Sequence, residues 1–110
     1  MSNTQDSETG TDVTITHHTQ GQGGVYIAHV EGSDHQGRLE WEPRDGPEGD
    51  VRVATHTIVP EAIGGRGIAA QLVQRLVGDA REQGFTIVPQ CSYVAAKFDD
   101  NPEWSDLRAK

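Results

Sequence analysis

Val13-Thr14-Ile15-Thr16-His17 alternates apolar and polar positions, the period of a half-buried strand. Residues 25–30 and 37–41 read as two further strands, separated by the glycine-rich turn 20–24 and the polar turn 31–36. A loop dense in Pro, Gly and Asp follows over residues 43–50, and residues 51–59 form the longest strand pattern. The period then changes. Ile68, Leu72, Leu76 and Ala80 recur every four residues, and Val73 and Val77 widen the same stripe, which predicts an amphipathic helix. That helix stops at Gly84, a residue suited to a left-handed C-cap. Residues 85–88 predict a short apolar strand, parallel to the previous one because a helix joins them. A short helix over residues 92–98 follows, and Asn101-Pro102-Glu103-Trp104 closes the chain with Trp104 packing back. The expected fold is α+β: a mixed, mostly antiparallel sheet with one right-handed βαβ unit and a short C-terminal helix.

The stretch between the longest strand and the long helix, Val59-Pro60 through Gly64-Gly65-Arg66-Gly67, carries most of the chemistry. Glycines let a backbone approach a ligand closely, and the first helical N–H groups point outward unpaired, with the positive end of the helix dipole behind them. This is a cradle for phosphate or pyrophosphate, to which Arg66 can add a cation. A nucleotide P-loop does not fit, because no Lys-Ser or Lys-Thr follows the glycines. Gly65-x-Gly67-x-x-Ala70 matches the loose dinucleotide pattern, but the acidic residue expected about 20 positions later is missing and there is no room for a second βαβ half. A coenzyme A pyrophosphate turn and a plain glycine-rich loop are the other two readings.

At 110 residues the chain is expected to form one domain over residues 13–110, with a polar, disordered segment over 1–12. Nine basic and 17 acidic side chains give a net charge of -8, which argues against nucleic acid or an anionic membrane as main partner. Only Lys97 and Lys110 are lysines, a composition suited to solubility in concentrated salt. One cysteine excludes an internal disulfide framework. No apolar run has membrane-spanning length and the N-terminus lacks a secretory pattern, so the cytoplasm is the expected location.

His17 and His18, adjacent on a strand, face opposite sides and do not chelate one metal together, and His29 and His35 lack ligand spacing. No metal site is expected. His56 lies near the end of the longest strand, a few residues before the cradle, where a neutral imidazole can take a proton from an amine or position a water. A sheet histidine satisfied by a neighbour is the plain alternative. Cys91 follows the last strand, on the side where ligands of such units bind. Its thiol can act as a nucleophile or as an acid, or it can be a small buried hydrophobe. Tyr93 carries a phenol that can donate a proton, with core packing as its alternative role.

Four motifs in order, His56-Thr57-Ile58-Val59-Pro60, Gly65-Arg66-Gly67-Ile68-Ala69-Ala70-x-Leu72, Val88-Pro89-Gln90-Cys91-Ser92-Tyr93-Val94 and Asn101-Pro102-Glu103-Trp104, resemble the small, minimal GNAT-type N-acetyltransferases. The match spans the second half of the chain. In that superfamily the turn has the pattern Arg/Gln-x-x-Gly-x-Gly/Ala, here Gly64-Gly65-Arg66-Gly67-Ile68-Ala69, and Gly64 departs from it. The resemblance implies acetyl-CoA as co-substrate, with its pyrophosphate on that turn and its pantetheine arm against the backbone of Thr57, Ile58 and Val59. It implies acyl transfer to a primary amine, with His56 as a candidate base and Cys91 or Tyr93 as proton donor to the departing thiolate, or an acetyl-Cys91 intermediate. It also implies an acceptor site that is open or completed by a second copy, since the N-terminal helices of larger relatives are missing. The resemblance does not identify the acceptor; the acidic composition suits a cationic small amine, a polyamine or a protein lysine. A non-catalytic acyl-CoA-binding module and a protein-interaction module of the same fold are the alternatives.

Overall fold

The computed structural model describes residues 12–44 and 49–109. The expected disorder of the first residues and the middle of the 43–50 loop therefore lie outside the described residues. Five strands form one sheet in the order β1-β2-β3-β4-β5: β1 Val13–Gln20, β2 Gly23–Val30, β3 Gln36–Arg44, β4 Val51–Ile58 and β5 Thr86–Pro89. The first four are antiparallel neighbours, and β5 runs parallel to β4. Helix α1, Ile68–Gln83, connects β4 to β5, and helix α2, Ser92–Asp100, follows β5. A 3-10 helix, Pro102–Leu107, brings the chain back, so that the Ala109 N–H donates to the Ile87 carbonyl at 2.8 Å along the outer edge of β5.

Several boundaries differ from the sequence expectation: β1 runs on beyond His17 to Gln20 and β2 starts at Gly23, so both strands enter the expected 20–24 turn, and β4 ends at Ile58 rather than Val59. Strand β3 runs through Pro43 to Arg44, where a loop was expected. The β2–β3 ladder ends at Gly24 opposite Trp41, so Pro43 lies where no β2 rung would need its missing N–H. Strand β5 starts one residue late because Phe85 still belongs to the helix cap: the N–H groups of Gly84 and Phe85 both donate to the Ala80 carbonyl. Gly84 adopts φ 82° there, the left-handed conformation that glycine accepts without cost. Helix α2 continues to Asp100 rather than stopping at Phe98.

The apolar stripe of α1 supplies the core. Leu72, Val73 and Leu76 are fully buried against Tyr26, Ala28 and Leu39 of the sheet, together with Ile63, Phe85, Ile87 and Val94. Side chains of this size contribute roughly 1.5–3 kcal/mol each when buried. Gly37 is where the helix comes closest: a Cβ there would lie 3.0 Å from Ile68 Cγ2. Trp104 packs edge-on against Phe98 with ring centroids 5.5 Å apart, as the sequence suggested. Among the described residues no helix is long and apolar enough to cross a membrane.

Below the middle of α1 the core contains polar groups. The Tyr26 hydroxyl donates to Asp79 Oδ2 at 2.8 Å, and Arg75 Nε donates to Asp79 Oδ1 at 3.3 Å. Between them the two bonds give each oxygen of the buried carboxylate a partner. His17 stacks on the Tyr26 ring at 4.3 Å, and its Nε2 accepts the Trp41 indole N–H at 3.0 Å. This acceptor role requires a neutral ring. Burial pushes the His17 pKa down from 6.5, and the Arg52 and Arg75 cations push in the same direction. Stability should consequently fall as pH drops below 6.5, because the unfolded histidine takes up a proton that the folded one resists. In urea unfolding between pH 7 and about pH 5, His17→Gln, which keeps an acceptor for the indole but cannot titrate, should show a shallower loss than the parent.

Candidate functional site

The glycine turn stands at the C-terminal end of β4, the position that a strand-to-helix crossover gives it. Pro60 leads into a single 3-10 turn, Glu61–Ile63, whose Ile63 side chain is buried and pins the segment to the core. Gly64 is extended at φ -72°, and Gly65 and Gly67 are left-handed at φ 74° and φ 72°. A Cβ at Gly65 or Gly67 would meet nothing within 4 Å, so backbone conformation rather than crowding demands glycine at both. Gly67 is the N-cap of α1 and has no side chain to offer; the first turn contains no acidic residue. The first amides of α1 are thereby left without an intrahelical or side-chain partner.

These amides face a cleft of about 540 Å³ lined by Val59, Glu61, Ile63, Gly64, Gly65, Gly67, Ile68, Ala69 and Tyr93. Arg66 is exposed on the turn and forms no ion pair among the described residues. Lys97 lies 5.6 Å from the centre of the Tyr93 ring, so a second cation stands near the cleft. Glu61 brings the opposite sign. Sequence reasoning did not single out Glu61 or Ile63, because nothing in the local pattern shows that a 3-10 turn folds them against the glycines.

Beside the cleft the two parallel strands part. Strand β4 pairs with β5 only from Val51 to Ala54, and then runs on to Ile58 without a rung on that side. A bulge coincides with the parting: Glu40 faces His56 and Trp41 faces Ala54, which leaves Thr55 unmatched. The Ala54 carbonyl accepts the Cys91 N–H at 2.9 Å. Cys91 is in turn the N-cap of α2, with its Sγ 3.5 Å from Thr57 Oγ1. Burial by itself pushes the thiol up, but the Thr57 hydroxyl and the N–H groups of Val94, Tyr93 and Thr57 outweigh it and hold the thiol below its ordinary 9.0. The sulfur makes no full cap hydrogen bond, so the helix amides act on it as dipoles.

The structure thus brings Gly64, Gly65, Gly67, Ile68, Ala69, Val59 and Tyr93 to one cleft. Thr57 and Cys91 touch each other on the side of the sheet that α1 covers, since Thr57 pairs with the buried Leu39. His56 points the other way: it is exposed and sits opposite Glu40 on the uncovered face. Ile58 shares that face and is 52% exposed. Among the described residues no group of three or more His, Cys, Asp or Glu is arranged to hold a metal.

Comparison with known proteins gives one family: a profile described as GCN5-related N-acetyl-transferase matches residues 25–107.

Two measurements test this geometry. Gly67→Ala should lower stability by about 1–2 kcal/mol in urea unfolding, the cost of a side chain in the left-handed region, while Gly64→Ala, at an ordinary φ, should lower it by less. The alkylation rate of Cys91 by iodoacetamide should rise to half its maximum below pH 9.0, and Thr57→Val should move that midpoint upward.

Proposed function

The chain belongs to the GCN5-related N-acetyltransferase family, and from that premise we propose that it transfers an acetyl group from acetyl-CoA to a primary amine. The observation that carries this reading is the turn 64–69: an uncapped helix N-terminus, two left-handed glycines and free space where their side chains would be, all facing one cleft. These residues fit a pyrophosphate, which needs close backbone approach and a positive dipole. Arg66 adds charge that offsets the Gly64 departure from the family pattern. The thioester arm fits along Thr57, Ile58 and Val59, where β4 is paired with β3 but has no rung on its β5 side, so that edge can bond another extended chain.

Acetyl-CoA supplies the activated acyl group; the chain's own residues position and handle protons. In the proposed step the amine nitrogen bonds to the thioester carbonyl carbon, the carbon–sulfur bond breaks, and the sulfur leaves with the electron pair. Cys91 gives that sulfur its proton. Thr57 suits this role because its hydroxyl can accept from the thiol before the transfer and donate to the thiolate after it. His56, on the opposite face of the same strand, takes the proton that the amine loses. Tyr93, at the cleft wall, orients the arm beside Cys91.

Acetyl-CoA should raise the Tm in a saturable way, as a ligand that binds only the folded state must. Gly67→Glu, which puts a carboxylate and a side chain into the turn, should remove the shift. Cys91→Ala should retain the shift but lower kcat by about 10²–10⁴-fold in an assay of CoA release, the usual contribution of acid catalysis. Absence of any shift would overturn the proposal. A shift without CoA release from any amine would leave an acyl-CoA-binding module.

A further inference from the structure

Among the described residues the sheet has helices on one face, and its other face contains a second concavity. This groove, of about 430 Å³, is lined by residues that include Gln22, Gly23, Glu40, Glu42, Thr55 and His56. Its volume falls in the range of small-molecule sites. At its edge β2 approaches β3 so closely that only glycine fits: a Cβ on Gly23 would collide with the Trp41 carbonyl oxygen. The groove begins at the β4 bulge, where Thr55 Oγ1 donates to the Glu40 carbonyl at 3.2 Å. It therefore shares strand β4 with the Thr57–Cys91 pair but reaches that strand from the opposite side.

Alternation along β3 puts Glu40 and Glu42 on this face, with His56 directly across from Glu40. The two carboxylates are not equivalent. Glu40 Oε2 is 3.1 Å from Arg38 Nε, which neutralises it, whereas Glu42 is exposed and has no ion pair among the described residues. A ligand in the groove thus meets a proton acceptor at His56 and, diagonally across the β3–β4 ladder, about 7–8 Å away by strand geometry, a carboxylate with no ion pair among the described residues.

We propose that this groove is the acceptor site and that it takes a short α,ω-diamine, with one nitrogen at His56 and the second, as an ammonium, at Glu42. A four-carbon diamine spans the interval between them. The fate of the first nitrogen rests on the acetyltransferase reading; the binding itself does not. The -8 net charge of the chain favours the approach of such a dication.

The test compares 1,4-diaminobutane with 1-aminobutane, which has the same reach but lacks the second charge. In calorimetry on the full chain without acetyl-CoA, the diamine should bind about three- to fivefold more tightly, the contribution of an exposed ion pair. In the CoA-release assay its KM should be lower by the same factor with little change in kcat. Glu42→Gln should abolish the difference between the two amines, and Gln22→Arg, which adds a cation to the groove rim, should reverse it. The Tm of each variant shows that it is folded. Equal binding of the two amines by the parent, a preference untouched by Glu42→Gln, or a lysine side chain in a neutral peptide turned over better than the diamine would each overturn the proposal. Amine turnover without a diamine preference refutes the groove assignment and leaves the acetyltransferase reading intact. Diamine binding lost in Glu42→Gln, in a protein that acetyl-CoA does not stabilise, does the reverse.

Discussion

The hydrogen bond from Cys91 N–H to the Ala54 carbonyl, 2.9 Å long, is the constraint on which the site depends. It stands where the next rung of the β4–β5 ladder would be and transfers that rung to the N-cap residue of α2. Beyond it β4 keeps β3 on one side but has no rung on the other, so its edge toward β5 is free, and the Cys91 thiol is brought to Thr57. A fully paired β5 would close that edge of β4. The Thr55 bulge reinforces the parting, because an unmatched residue increases local twist and turns the end of β4 away.

Two other features serve the same end of the sheet. Burial of Ile68, Leu72 and Leu76 holds α1 rigidly on β2 and β3, and this fixes the direction in which its first amides point. Ile63 anchors the segment just before the glycines, so the turn is held at both ends although its own residues are exposed. At the far end of the helix the Tyr26–Asp79–Arg75 contacts and the His17–Trp41 bond tie α1 and β1 to the sheet. The recognition end relies on backbone geometry, and the opposite end relies on buried polar side chains. Substitutions in the two regions should therefore affect different properties.

One strand serves both faces of the sheet. Residues 55–58 of β4 present Thr57 toward the helices and His56 and Ile58 toward the open side. A two-residue period allows a thiol partner and a proton acceptor to stand next to each other in sequence and yet act on a reacting centre from opposite sides. Among the described residues the helices lie on one face, so the other face of β4 stays accessible at His56 and Ile58.

The sequence by itself determined the order and type of the elements and the chemistry of the turn. The helix from Ile68 to Gln83 was legible because its apolar stripe and its bounding glycines are local signals, and every glycine at a positive φ near the cleft was visible as a glycine. The family pattern was legible for the same reason, since its motifs are short runs. What only the tertiary structure decided were relations between distant residues. Strand alternation implies that His56 and Thr57 face opposite ways, but not which of them meets Cys91, 34 positions after Thr57. The Asp79 carboxylate looks like a surface position on the helix until Tyr26 folds against it, 53 residues away in sequence. Glu40 and Glu42 became a groove wall only through the register of β3 with β4 and the close approach of β2 at Gly23. Local periodicity encodes the faces of single elements; the pairing of those faces depends on packing energy summed over the whole core, which no short window of sequence contains.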